Sequence, residues 1–89
     1  MKIIRISAMW CSGCLVMKKI WKSLQEKYKD IEYIDYDYDY DEEEVKKYDV
    51  GKIVPVNIFF KDGKEITRLI GEKSINEVEE VIKKVYYED

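Results

Sequence analysis

The only two cysteines of this 89-residue chain stand three positions apart, at the point where its hydrophobic pattern changes period. Before them, Lys2 to Ala8 carries Ile3, Ile4 and Ile6 in a β-branched run that reads as a buried strand. After them, Cys14, Met17, Ile20/Trp21, Leu24 and Tyr28 recur at helical spacing with Lys18, Lys19, Lys22 and Lys27 between, which predicts an amphipathic helix from Cys11 to about Lys29. Trp10-Cys11-Ser12-Gly13-Cys14 therefore occupies a strand-to-helix junction, and the fold must present a dithiol at a helix start.

Helix geometry gives that placement its chemistry. Residues three apart share a face, so the two sulfurs can meet and close a disulfide. Unpaired backbone N–H groups at the helix start favour a thiolate on the first cysteine, which makes Cys11 the expected attacking sulfur and Cys14 the shielded, resolving one. The same spacing also supplies half of many zinc sites and the whole of some copper-carrier sites. With no histidine and two cysteines, one chain cannot assemble a four-ligand Cys/His zinc site, so zinc would require a dimer or carboxylates.

Further along, Ile31 to Tyr38 alternates Ile/Tyr with Glu/Asp, the pattern of a strand with one packed face and one wet face. Asp41 to Glu44 places acids in a first turn, and Val45 to Tyr48 completes a short helix that Gly51 is expected to end. Val54 to Phe60 and Lys64 to Ile70 read as strands joined through Asp62-Gly63, a tight-hairpin signal. Ser74 can cap a last helix, with Glu77 completing a capping box and Ile75, Val78, Val81/Ile82 and Val85 as its buried stripe, while Tyr86 and Tyr87 cover the sheet. The order is βαβαββα, in one domain spanning residues 1–89. The local repeat from Asp35 to Asp41 reads as an edge strand running into a loop, its tyrosines on one face and its carboxylates in water.

Charge narrows the partners. A net charge of −3 lacks the basic field that neutralises phosphates, so nucleic acid is not expected. The charge is uneven: residues 1 to 29 hold seven Lys/Arg against one Glu, and residues 30 to 49 hold ten Asp/Glu against two Lys, which makes the molecule a dipole. No uncharged apolar run approaches about 18 residues, and Met1 to Arg5 lacks the pattern of a signal peptide, so no membrane association is expected and the cytoplasm is the expected location.

With the Trp10 to Cys14 motif, Val54-Pro55 before a buried strand, the Lys61-Asp62-Gly63 hairpin and Gly71 after it, the chain resembles the thioredoxin superfamily in a short form, over essentially all its length. The resemblance implies a thioredoxin-like α/β fold, a four-stranded mixed sheet of order 2-1-3-4 flanked by helices. It implies a monomeric thiol-disulfide oxidoreductase that reduces protein disulfides and needs no bound cofactor beyond the redox-active Cys11-Cys14 pair. It assigns Cys11 as nucleophile, Cys14 as resolving thiol and Pro55 as a cis-proline packed against them. Val54 would offer its backbone to substrate, and Trp10, Ser12, Gly13 and Gly71 would shape the docking surface. Partners would be disulfide-containing proteins and a thioredoxin-reductase-like flavoprotein or small-thiol donor.

Two departures stand out. The family's buried acid in the first strand, thought to relay a proton to the resolving cysteine, falls at Arg5. That arginine either pairs with Asp35 or Asp37 and tunes the thiols, or is an exposed strand-end side chain. Ser12-Gly13 also replaces the usual Gly-Pro, which leaves the redox potential and direction open. Two alternatives remain. Met9-x-Cys11-x-x-Cys14 is similar to the Met-x-Cys-x-x-Cys loop of copper-carrying heavy-metal-associated domains, in which Met9 would pack beneath the loop; those domains run βαββαβ, however. A glutaredoxin-like, glutathione-dependent reductase is the other, with Gly71 to Asn76 near the tripeptide.

Overall fold

The computed structural model describes residues 1–88. Strand β1 (Lys2–Ser7) leads into helix α1 (Ser12–Lys27), followed by β2 (Glu32–Asp37), α2 (Glu42–Lys47), β3 (Val56–Lys61), β4 (Lys64–Ile70) and α3 (Ile75–Ile82). The four strands form one sheet in the order β2-β1-β3-β4. β1 runs parallel to β2, while β3 is antiparallel to both β1 and β4. The expected topology and strand order are therefore those observed.

β1 carries isoleucines on both faces, Ile3 on one and Ile4 and Ile6 on the other, because it lies inside the sheet and is covered on both faces. On one face Ile3 and Phe59 pack with Met17, Trp21 and Leu24 of α1 and with Val78 and Ile82 of α3. On the other, Ile4, Ile6, Val56 and Ile58 pack with Val45 of α2 and with partly buried Tyr36, Tyr48 and Phe60. Since the register pairs Ile4 with both Ile34 and Ile58, and Arg5 with both Asp35 and Asn57, the odd-numbered residues Arg5 and Asn57 project on the α1 side of the sheet.

Element boundaries differ from expectation where tertiary structure intervenes. β2 has no wholly wet face: Tyr33 packs with the α1 side and Ile34 and Tyr36 with the other, because the edge strand is covered on both sides by helix residues. The short helix ends at Tyr48 with Asp49 in the left-handed region (φ 53°), so Asp49, not Gly51, turns the chain; a short polar side chain tolerates this conformation. β3 starts at Val56, two residues later than expected, because the Val54–Pro55 peptide is cis and stands outside the ladder. Ile75 is exposed, and the stripe of α3 begins at Val78.

At the hairpin, Asp62 and Gly63 both take positive φ (54° and 77°), the paired left-handed conformation that fits the strand twist. Ser74 Oγ accepts from the Glu77 N–H at 3.2 Å and starts α3. Beyond Ile82 the helix widens into a π-helical turn over Lys83–Tyr87. This swings the Tyr86 hydroxyl to 2.9 Å from the carbonyl oxygens of both Lys2 and Phe60, tying the chain end to the sheet. Tyr87, expected on the sheet, lies instead against the Tyr28 ring. No helix among the described residues is long and apolar enough to cross a membrane.

These contacts set limits on pH. Hydrogen bonding to Arg68 holds the Glu65 carboxyl below its usual range, and Lys27 with Tyr28 does the same for Glu79. Burial pushes the phenols of Tyr28 and Tyr86 up to about 12, with the Glu79 carboxylate adding to the rise at Tyr28. A depressed carboxyl stabilises the fold above its unfolded value and loses that contribution as pH falls through the folded one; a raised phenol loses its contribution as pH rises from about 10 toward 12. Urea midpoints measured from pH 2 to 12 are expected to be flat near neutrality and to fall at both ends. An unchanged midpoint between pH 9 and 12 would contradict the tyrosine assignment.

Candidate active site

The dithiol site begins where β1 runs out. The Cys11 N–H donates to the Ala8 carbonyl at 3.2 Å, closing a turn that sets Cys11 as the N-cap of α1 with extended backbone (φ −96°, ψ 110°). From there the Cys14 N–H donates to Cys11 Sγ at 3.1 Å. Cysteine thus does what serine or aspartate does at other helix starts, satisfying one of the orphan amides with its side chain. The two residues, with Cα atoms 5.3 Å apart, are joined as a disulfide.

Burial does not distinguish the two cysteines as expected, since each is 8% exposed. Their difference lies in their neighbours: Cys11 Sγ receives the helix amide and lies 3.4 Å from the Val54 carbonyl oxygen, while Cys14 is set one turn into α1. Pro55, in cis linkage to Val54, is bonded in turn to Gly71, whose N–H donates to the Pro55 carbonyl at 2.8 Å. Gly71 has φ 90°, a conformation that side-chain-bearing residues rarely adopt. Gly13 packs closely there: a Cβ would sit 3.3 Å from Glu72 Cβ, a tight contact, and 3.6 Å from Pro55 Cδ, an ordinary one. Ser12 is exposed beside it.

Trp10 is 62% exposed, yet it is anchored: its indole N–H donates to Asp39 Oδ2 at 2.8 Å, and its ring meets Tyr38 edge-on. The Asp-Tyr repeat is thus more than a wet edge. Asp37 Oδ1 accepts from the N–H groups of Asp39 and Tyr40, and Asp41 Oδ2 accepts from the Asp37 N–H. The carboxylates fold their own turn and present Asp39 to Trp10, a role the alternation concealed because a period of two says nothing about which acid leaves the strand.

Arg5 is not an exposed strand-end arginine. It makes a bidentate pair with Asp35, at 2.6 and 2.8 Å, donates to Gln25 Oε1 at 2.7 Å, and has Trp21 and Tyr33 rings within 5.5 Å. Arg5, Cys14, Pro55 and Asn57 all line one cleft of about 840 Å³ between α1 and the sheet.

A disulfide-forming Cys-x-x-Cys pair at the start of α1, beside a cis Val54–Pro55 peptide that leads into β3 of a β2-β1-β3-β4 sheet, defines a thioredoxin-fold dithiol domain. The family model Thioredoxin matches residues 1–84. The chain is 35% identical over 69 residues to thioredoxin H5 of Oryza sativa subsp. japonica, covering 78% of this chain and 50% of that protein. It is 30% identical over 82 residues to the thioredoxin of Ovis aries, covering 85% and 77%. Among solved structures, mitochondrial thioredoxin 3 of Saccharomyces cerevisiae superposes with a TM-score of 0.86 at 27% identity, covering 94% of this chain and 77% of that one. The chain belongs to the thioredoxin family, and it spans about half the length of the rice relative.

The alternatives fare less well. The sheet follows the thioredoxin order with a helix between β2 and β3, not the βαββαβ path of copper-carrier domains. Met9 is 82% exposed, where a carrier would tuck it under the loop. The relatives named above are thioredoxins, which leaves the glutaredoxin-like reading unsupported.

Proposed function

We propose that this chain is a thiol-disulfide oxidoreductase that reduces protein disulfides, with Cys11 as nucleophile and Cys14 as resolving thiol. The observation that carries this reading is the Cys14 N–H aimed at Cys11 Sγ at the start of α1, since an amide donor and a helix N-terminus both favour negative charge on that sulfur.

The Cys11 thiolate attacks one sulfur of a substrate disulfide; a Cys11–substrate bond forms and the electron pair leaves on the other substrate sulfur, which takes up a proton. Cys14 then loses its proton and attacks Cys11 Sγ, forming the Cys11–Cys14 disulfide and releasing the second substrate thiol. The dithiol is oxidised by two electrons and the substrate disulfide is reduced by two. Exposed Trp10 and the Val54 backbone serve as the docking edge, where an extended substrate segment can pair through main-chain groups. Gly71 holds Pro55 in place, and Ser12 and Gly13 keep the approach clear. We assign the chain to the cytoplasm as a monomeric single domain, with no bound cofactor and no nucleic-acid or membrane partner. It would be re-reduced by a thioredoxin-reductase-like flavoprotein or a small thiol.

Reduction of insulin disulfides by the pre-reduced protein, with cuprous-ion binding measured on the same preparation, tests this. With a small-thiol reductant supplied to reopen the Cys11–Cys14 disulfide, catalytic turnover is the expected result. An inert protein that bound one copper ion tightly through both cysteines would overturn it.

A further inference from the structure

Asn57 is the one buried polar residue in the middle of β3, 2% exposed, and only half of its amide is used. Its Oδ1 accepts from the Trp21 indole N–H at 3.1 Å. Because an indole can only donate, this bond fixes which end of the amide is oxygen. The Nδ2 group meets no acceptor among the described residues. A buried amide donor without a protein partner costs about 1–3 kcal/mol, so the residue keeps a spare donor dipole in the interior.

Its surroundings point to a use for that dipole. Asn57 is the cross-strand partner of Arg5 and lines the same cleft as Arg5 and Cys14. The charged groups facing that cleft are Arg5 from β1, Lys18, Lys19, Lys22 and Glu26 from α1, and Asp35 and Asp37 from β2; β3 adds Asn57 and no charge. Glu72 stands outside it, against Gly13. Asp35 and Gln25 are engaged by Arg5, and Asp37 by the turn amides of Asp39 and Tyr40. The Arg5–Asp35 pair is also polarised by solvent, since the arginine side chain is 14% exposed and the carboxylate 65%. Water screens the negative end more than the positive end, so the buried side of the pair is electropositive.

We propose that the Arg5 charge and the unpartnered Asn57 Nδ2 dipole make the cleft they share with Cys14 electropositive and so stabilise the Cys14 thiolate once the disulfide opens, making them positioning residues for the resolving step. This rests on the oxidoreductase reading above. In the step itself the Cys14 thiol gives its proton to solvent water, the thiolate attacks Cys11 Sγ, and the electron pair departs on the former partner sulfur. A carboxylate at position 5 would act by taking up that proton; Arg5 and Asn57 act by holding the charge left behind.

The test is rapid mixing of the reduced protein with Ellman's reagent, followed by release of the coloured thiolate. The first phase reports attack by Cys11 and the second reports resolution by Cys14, and the pH midpoint of the second phase is the readout. Asn57→Leu and Arg5→Gln are expected to raise that midpoint by about one pH unit, a tenfold loss of thiolate at a given pH. Asp35→Asn, which leaves Arg5 uncompensated, is expected to lower it. All three should leave the first-phase midpoint in place. Equal midpoints in all variants would overturn the proposal, and so would a shift in the same direction for Arg5→Gln and Asp35→Asn, the mark of a merely structural disturbance. If Asn57→Leu does not fold, the opposite signs of the other two variants still decide. Because the reagent is not a protein, failure of insulin reduction would remove the oxidoreductase reading while this measurement remained interpretable.

Discussion

Cys11→Ser is expected to lower insulin-disulfide reduction by about three orders of magnitude or more, because it removes the only sulfur that both caps α1 and faces the Val54 carbonyl. A serine hydroxyl can still accept the Cys14 N–H and cap the helix, so the fold should persist and the loss should be chemical. Cys14→Ser should fail differently. Attack by Cys11 proceeds, but nothing resolves the product, and a covalent protein–substrate adduct accumulates that mass spectrometry detects at the summed mass and a reductant dissolves. The pair of variants therefore separates the two roles. Adduct trapped in Cys11→Ser and not in Cys14→Ser would exchange them, and turnover retained in either single variant would remove the dithiol mechanism.

Phe59→Ala should cause the largest loss of stability among single core truncations. Phe59 is fully buried at the centre of β3, with Trp21 and Tyr86 rings at 6.5 Å and the α1–α3 cluster around it. Removing such a ring costs about 3–5 kcal/mol, the transfer energy of the lost atoms plus the cavity they leave. Domains of this kind have about 5–15 kcal/mol in total, so the variant is expected to be marginal. With a urea slope of about 1–3 kcal/mol per molar, the midpoint should fall by about 2 M with little change in slope. A fall corresponding to less than about 1 kcal/mol would mean that α1 and α3 collapse onto the vacated space, and that the cluster is not the rigid core described above.

Much of the fold was legible because the periodicities are local. The isoleucine-rich run of β1, the stripe of α1, the Asp62-Gly63 turn and the Ser74 cap each express a backbone preference that needs no distant partner. Boundaries slipped where a distant partner decides. Ile75 obeys the helical spacing of α3 yet lies in solvent, since α3 meets the sheet only from Val78 onward. Tyr33 and Tyr36 sit on opposite faces of β2 because both faces of that edge are covered by helix residues. The site divides in the same way. Cys11, Cys14 and Gly13 are neighbours in sequence, and their spacing alone implies a closable pair. Asp39 under Trp10 and Asn57 beside Arg5 are brought in from 29 and 52 positions away, and no local pattern marks them.

By itself the sequence determined that a dithiol would stand at a strand-to-helix junction in a βαβαββα chain, because hydrophobic period and cysteine spacing are properties of adjacent residues. Only the tertiary structure decided the environment of that dithiol: Val54 beside Cys11, Asp39 anchoring Trp10, and an arginine with a half-satisfied asparagine in the cleft that Cys14 also lines. The physical reason is that bonding geometry within one helical turn is dictated by the backbone, whereas the electrostatics of a buried sulfur depend on which side chains the sheet register places beside it.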